Sequence, residues 1–361
     1  MLWVKLGGGT RIILTLANEL VKRGHDVSIT AVGTKKDIAW FPLQAKLTLI
    51  SPYRYMYARG VSMVKRRIFK MNDFRNKFYW DVIWDLARQT PDCDINIATY
   101  AMTAYSVYLS RKGKPFYYMQ HYEPSTLNND PTSERLFEGS YFLPLKKIAN
   151  SSWLKNEIKE KLGMDVSAIE VSPSAVNTDM FYKRNVTRFP RNQGMRRVVC
   201  MGRPDAWKGF PDALSAMRIV MKERNDVEFY VYAFKDELPK LDGAPYTLLT
   251  GISGENLAEL LSSADIVLAP SWLESSPLPV LEAMACGAAL VTTRYGTEDF
   301  AFDGKNSLVV PPKNPEAIAR ALLKLLADEA MRADLIKNGF MTAKNFNWQR
   351  SVERIETLFA L

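Results

Sequence analysis

Short β-branched runs alternate with longer amphipathic runs along most of this chain, and that alternation limits the folds open to it. In the second half "RVVCMG", "VEFYVYA", "ADIVLAP", "ALVTT" and "SLVVPP" read as strands. Between them lie "PDALSAMRIVMKE" and "PEAIARALLKLLADE", whose apolar residues recur at a helical period. Parallel strands must be joined by a crossover, which a helix supplies, so the pattern predicts βαβ units and doubly wound parallel sheets. "DVSITAV", "KLTLI", "DINIATY" and "FYYMQ" carry it through the first half, and 361 residues suit two such domains.

The polar stretch from Val171 to Arg197 contains two prolines and no sustained periodicity, and it reads as the interdomain linker. The expected divisions are 1–172, 173–345 and a closing helix at 346–361. Whether that helix packs on its own domain or crosses to the first is not legible from its pattern. The first domain starts oddly. A buried strand should precede the first Gly-rich turn of a nucleotide-binding sheet, yet only "MLWVKL" precedes Gly7, Gly8 and Gly9. The expectation is that the native start lies upstream, because losing an inner strand would expose unpaired backbone on its neighbours.

Composition removes several classes of function. Three isolated cysteines, Cys93, Cys200 and Cys286, fit reduced thiols, and two histidines, His25 and His121, are too few for a histidine-rich metal site. No run of 18 apolar residues and no secretory leader is visible, so a cytoplasmic protein is expected. The net charge of +9 is carried by residues 1–172, which hold 25 basic and 16 acidic residues, against 23 of each in the remainder. The segment from Arg54 to Lys77 has eight basic residues and one acidic residue among Tyr, Met, Ile, Val and Phe. It fits a peripheral contact with an anionic membrane surface, and equally a solvated helix face. Nucleic acid is not an expected partner, since no recognition helix or aromatic stacking module is present.

The segment "WLESSPLPVLEAMACG" holds two carboxylates, Glu274 and Glu282. Ser276 is expected as a helix N-cap, with Pro277 and Pro279 in the first turn, where backbone N–H groups have no helical partner to lose. Glu274 then lies on the loop leaving "ADIVLAP" and Glu282 about one turn into the helix. Helix amino ends bind anions, and here Leu278 and Val280 keep N–H groups while the prolines do not. The spacing alone fits a solvated first-turn acid and a loop acid just as well. "MGRPDAWKGF" follows "RVVC" directly, so Arg203 and Lys208 emerge at the carboxyl edge of the same sheet, as two cations able to neutralise a diphosphate.

"GRPDAWKG" together with "PSWLESSPLPVLEAMACGAALVTT" resembles the donor domain of retaining glycosyltransferase family 4, the glycosyl transferases group 1, which have the GT-B fold. "GGGTRIILTLANELVKRGHDVSI" and "MQHYEP" resemble that family's first Gly loop and His-bearing loop, and "SPSAVNTDMF" the entry to its second domain. The resemblance implies two Rossmann-like doubly wound domains facing a cleft. It implies that Glu282 holds the ribose of a nucleotide-sugar, Glu274 contacts the donor hexose, and Arg203 and Lys208 stabilise the leaving diphosphate. Gly8 and Gly9 would let backbone approach that diphosphate, and His121 would touch the donor sugar across the cleft. The base pocket falls near Gly251, Ile252 and Ser253. Many members have Phe-Gly where this chain has Ser276-Pro277, so one amide commonly near the sugar is missing, and "VEFYVYAFKDEL" lacks the Gly-x-Gly that often follows.

The expected activity is a metal-independent, cofactor-free transfer of a hexose, with retention, from a nucleotide-diphosphate sugar to a glycan or lipid-linked acceptor. A nucleotide-sugar epimerase of the same fold, or an inactive nucleotide-binding or membrane-associated module, would share these motifs. Asp92 and Asp94 have metal-binding spacing but lead straight into a strand. Glu123 reads as an exposed loop acid able to assist an acceptor hydroxyl, and His25 as a structural turn residue.

Overall fold

A computed structural model describes all residues except 1–3, 5–6, 56–73, 124–130, 191, 235–237, 239–244 and 361. The chain divides into two compact units, Met1–Ser172 with Val352–Leu361, and Pro173–Ser351.

The second unit is a parallel six-stranded sheet of β7 (Arg196–Met201), β8 (Val227–Ala233), β9 (Thr247–Thr250), β10 (Ile266–Ala269), β11 (Ala289–Thr293) and β12 (Leu308–Val310), in the order β12-β11-β10-β7-β8-β9. Successive side chains of a strand point to opposite faces, and both faces here are apolar. Val198 and Cys200 of β7 pack with Phe210, Met217 and Val220 of the helix Phe210–Glu223 and with Ile318, Leu322 and Leu325 of the helix Pro315–Ala327. Val199, between them, packs on the other face with Leu257 and Leu261 of the helix Gly254–Ser263 and Val280, Leu281 and Met284 of the helix Leu278–Ala285. Helices cover both faces, which is why the strands lack polar alternation.

The segment from Val171 to Arg197, read as the linker, is cut by the boundary between the units. From Pro173 onward it belongs to the second unit and is fastened to it. Lys183 Nζ donates to the Ser262 carbonyl at 2.7 Å and the Thr187 N–H to Glu259 Oε1 at 2.7 Å. Arg197 is fully buried, with Nε 2.7 Å from Glu228, Nη1 donating to Ser263 Oγ and the Phe189 carbonyl, Nη2 donating to the Pro190 carbonyl, and its guanidinium 4.4 Å from the Tyr230 ring centroid. The stretch lacks periodicity because its polar groups bond to other elements rather than along a helix or strand.

Among the described residues the first unit contains two parallel sheets. One pairs β1 (Ser28–Val32) with β2 (Lys46–Ile50); the other runs β3 (Ile95–Ala98), β4 (Lys114–Met119), β5 (Lys146–Ala149), β6 (Glu170–Val171). Of residues 1–6 only Val4 is described. It is buried against Leu14, Ala17, Ile29 and Ala31, and its carbonyl accepts from Trp40 Nε1 at 3.3 Å. The strands at Lys146, Glu170 and Thr247 were not legible, being two to four residues long, too short to show a period.

The closing helix, Trp348–Ala360, passes into the first unit at Val352. The Glu356 carboxylate receives Arg23 Nε and Nη2 at 2.9 and 2.7 Å and lies 2.8 Å from His25 Nε2. Those bonds, Arg23 first, pull its pKa down to about 2. Arg354 Nε donates to the Val171 carbonyl, and the Phe359 ring meets Phe116 edge-on at 5.0 Å. His25, at the turn after the helix Gly8–Lys22, is therefore also a partner of the closing helix.

Removing Arg197 would strand Glu228, whose side chain is only 12% exposed, and orphan three oxygen acceptors. Breaking one side of a buried pair costs about 3–5 kcal/mol. Arg197→Ala is expected to lower the unfolding free energy measured by urea titration by that amount, and Arg197→Lys to recover little, because a single ammonium cannot reproduce the planar fork.

Candidate active site

Strands β7 and β10 are neighbours, paired Val198 with Ile266 and Cys200 with Leu268, but the chain leaves them in opposite directions, to β8 and β9 on one side and to β11 and β12 on the other. This is the switch point of the sheet, where the two departing loops leave a crevice at the carboxyl edge. Arg203 and Lys208 follow β7, Glu274 follows β10, and Gly251 and Ile252 follow β9, all on that edge.

Gly209 brings the first two loops together. Its φ is +70°, and a Cβ there would lie 2.0 Å from the Pro270 carbonyl oxygen. No side chain fits that gap. Lys208, the preceding residue, places Nζ 2.6 Å from Glu274 Oε1, which also accepts from Ser271 Oγ at 3.0 Å. The Trp272 N–H donates to the Trp207 carbonyl at 2.6 Å, and its indole N–H donates to Asp212. A third loop closes on the same backbone, since a Cβ on Gly296, at φ +70°, would lie 2.6 Å from the Glu274 carbonyl oxygen. Lys208 and Glu274 keep 26% and 20% of their side-chain surface exposed. A pair so placed adds about 0–1 kcal/mol of stability, so its main consequence is where it holds an ammonium and a carboxylate.

Arg203 has Nη2 3.5 Å from Asp205 Oδ2 on its own loop and its guanidinium 5.6 Å from the ring centroid of Phe234, just after β8. The structure thus brings Lys208 to Glu274, while Arg203 lies beside Asp205 and Phe234.

The helix amino end differs from expectation. Pro277, not Ser276, is the N-cap, Leu278 is the first helical residue and Pro279 the second. Ser276 Oγ is turned to the Ser174 N–H at 3.4 Å, so the incoming chain takes the hydroxyl that would have capped the helix. The Val280 N–H donates back to the Pro277 carbonyl at 3.3 Å, whereas the Leu278 N–H, at the first helical position, has no helical acceptor to reach. Glu282 sits one turn in and is 3% exposed. Gly251 has φ +69° with open space beside it, its N–H donating to the Ala233 carbonyl, and Ile252 is half-buried against the core. The Gly-x-Gly departure after β8 falls largely outside the described residues.

The first unit holds the remaining candidates. Gly8 and Gly9 open the helix Gly8–Lys22, where nothing lies within 4 Å of a Cβ on Gly8, whereas one on Gly9 would lie 3.1 Å from Gln120 Oε1. The first turn of the helix therefore lies against the loop after β4. His121, on that loop, stacks on Trp153 at 6.4 Å between ring centroids, and its carbonyl accepts from Tyr141 Oη at 3.1 Å. Glu123 corrects another expectation, because it is buried rather than exposed. Its carboxylate accepts the Ala101 N–H at 2.7 Å and the Tyr117 hydroxyl at 3.4 Å, and burial pushes its pKa up to about 8. Asp92 is on the surface, 3.2 Å from Lys112 Nζ, and among the described residues no group of three or more His, Cys, Asp or Glu is placed to hold a metal ion.

Sequence reading missed Asp212, Ser271 and Gly296. Gly296 had a signal, a glycine just beyond the strand "ALVTT"; the other two had none, since their roles depend on loops meeting in space.

Parallel sheets covered by helices define an α/β protein, and the likeness to solved structures gives the arrangement its name, the GT-B fold. One such structure is Anabaena Alr3699/HepE in complex with UDP-glucose, with a TM-score of 0.74, 14% identity, and coverage of 99% of this chain and 97% of that one. Residues 195–328 match the family model for glycosyl transferases group 1, and residues 6–180 that for glycosyltransferase family 4. The chain belongs to these group 1, family 4 glycosyltransferases. Curated relatives include a D-inositol 3-phosphate glycosyltransferase of Paenarthrobacter aurescens, 27% identical over 63% of this chain and 59% of the relative, and one of an Arthrobacter species, 30% identical over 56% and 52%. The match thus spans little more than half the length of these relatives.

The two glycines make opposite predictions. Gly209→Ala must give up both its left-handed backbone and its approach to Pro270, and is expected to cost about 1–3 kcal/mol in a denaturant melt. Gly8→Ala, in a helix with open space beside it, should leave the melt unchanged or shift it upward by up to about 1 kcal/mol.

Proposed function

We propose that this glycosyltransferase moves a hexose from a nucleotide-diphosphate sugar to a glycan or lipid-linked acceptor, with retention of configuration and without a bound metal. The observation that carries this reading is the Lys208–Glu274 pair at the switch point, a cation and a hydrogen-bond acceptor held 2.6 Å apart by backbone that only glycine can form. An incoming diphosphate gives Lys208 a second anion, which frees Glu274 Oε1 to accept from a sugar hydroxyl. Arg203, 29% exposed on the same loop, adds the second cation, and the Leu278 N–H the one first-turn amide. Glu282 holds the ribose hydroxyls, for which a carboxylate has the acceptors. Gly251 and Ile252 border the base. In the first unit Gly8 and Gly9 admit close backbone approach, and His121 contacts the donor sugar.

Retention follows a front-face route in which the leaving phosphate takes the proton of the attacking hydroxyl. The protein's contribution is positioning and charge stabilisation. Lys208→Ala and Glu282→Gln are expected to cut transfer by about 100-fold or more while leaving the melting temperature close to that of the parent. Near-normal turnover of either variant sinks the assignment. A thermal-shift panel of UDP-, GDP- and ADP-sugars, beginning with the UDP-glucose held by the Anabaena neighbour, identifies the donor, because a ligand at 100 times its Kd adds about 2.7 kcal/mol of stability.

The acceptor reading includes a cytoplasmic, peripheral contact with an anionic membrane. Most of the segment from Arg54 to Lys77 lies outside the described residues. The helix Phe74–Gln89 that continues it presents Trp80 and Trp84, one turn apart and 38% and 45% exposed, the amphipathic residues that favour a lipid interface. Among the described residues no helix is long and apolar enough to cross a membrane. Flotation is expected with anionic liposomes and not neutral ones, and to weaken with salt; equal binding to both rules out an electrostatic anchor.

A further inference from the structure

Glu123 is a buried acid that the proposed chemistry does not use. It sits two residues beyond His121, and its surroundings are built of tyrosines. The Tyr117 ring stacks on Tyr141 at 5.9 Å between centroids, and Tyr122 stacks on the same Tyr141 ring at 5.8 Å. The carboxylate accepts the N–H of Ala101, the first residue of the helix Ala101–Ser110, where the helix dipole favours a negative charge. The Tyr141 hydroxyl is the second link. It receives the Glu123 N–H at 3.3 Å and donates to the His121 carbonyl at 3.1 Å, so one phenol clamps both ends of the His121–Glu123 turn.

We propose that Glu123 is a positioning residue for His121, and that its protonation state, passed through the tyrosine cluster, sets where the histidine loop rests. This rests on the reading of His121 as a donor-sugar contact. An ionised carboxylate only accepts hydrogen bonds, whereas the neutral acid must also donate one. Protonation therefore adds a donor to the cluster, and Tyr117, whose hydroxyl lies 3.4 Å from Oε1, can turn from donor to acceptor to receive it. Tyr117 is stacked on Tyr141, and Tyr141 holds the His121 carbonyl, so rearrangement at the acid reaches the loop. The titratable groups facing Glu123 are Tyr100 at the start of the helix Ala101–Ser110, Tyr117 on β4 and Tyr141 at the end of the helix Pro131–Tyr141, with Tyr122 beside it and Glu138 bonded to Tyr122. Burial raises the pKa of each of these four tyrosines, so they stay neutral across the ordinary range. Glu123, raised to about 8 by the same burial, changes charge within it.

The chain has only two histidines, which makes the test direct. Ring-labelled histidine is followed by NMR from pH 5 to 10, with His25→Gln assigning the His25 signals. His121 is expected to show, beyond its own titration, a second chemical-shift step near pH 8. That step should vanish in Glu123→Gln, which keeps the shape of the side chain and removes its charge. It should also vanish in Tyr141→Phe, which leaves the acid buried and removes the link. A His121 titration identical in the parent and Glu123→Gln overturns the proposal, and so does a step that survives Tyr141→Phe. Should Glu123→Gln fail to fold, Tyr141→Phe alone decides.

A second readout is stability. The folded acid binds its proton more tightly than the unfolded one, so it loses stability as pH rises from about 4.5 through 8. The gain in melting temperature of Glu123→Gln over the parent should therefore be larger at pH 9 than at pH 5, and an equal difference at both counts against the proposal. Neither measurement uses turnover, so loss of the transferase reading would leave their outcome standing.

Discussion

The close approach of Gly209 to the Pro270 carbonyl is the constraint on which the active edge of the second sheet depends. A Cβ would stand 2.0 Å from that oxygen, so the backbone of one loop lies directly on the backbone of the other. Lys208 meets Glu274 as a result, and the Trp272 N–H meets the Trp207 carbonyl. Gly296 repeats the device from the next strand by lying against the backbone of Glu274 and Ser275. The two charges of the pair are thus placed by main chain, which moves less than long side chains do.

Much of this was legible in advance. Arg203 and Lys208 had to emerge at the carboxyl edge because "RVVC" reads as a buried strand and "MGRPDAWKGF" follows it without a gap. Glu274 and Glu282 had to fall on different elements because two prolines fix where the helix can begin. The capping detail was not legible. Ser276 has the right chemistry for a cap, but Ser174, 102 positions earlier in the chain, donates to its hydroxyl. Pro277 takes the cap position, and the Val280 amide turns back to its carbonyl. The first turn of this helix is poorer in free amide donors than the prolines alone implied.

The first unit shows the same division at the His121 loop. "MQHYEP" marks a functional loop by the resemblance it carries, yet nothing in those six letters says that Glu123 is enclosed. Its burial comes from Tyr100, Tyr117 and Tyr141, contributed by a helix start, a strand and a helix end. The closing helix belongs here too. Its apolar face was plain, but its partners, Arg23, His25 and Phe116, lie hundreds of residues away.

By itself the sequence determined what repeats locally: the alternation of strand and helix, the presence of two α/β units, the cations after one strand and the carboxylates after another. These follow from side-chain period, proline geometry and short-range order, which are properties of neighbouring residues. Tertiary structure alone decided which groups meet: Lys208 with Glu274, Ser276 with Ser174, Arg197 with Glu228 and the Phe189 carbonyl, Glu123 with its tyrosines, and Glu356 with Arg23. Each of those pairings depends on how the chain folds back on itself, and a polar group selects among many distant partners of equal chemistry by position, which no local pattern encodes.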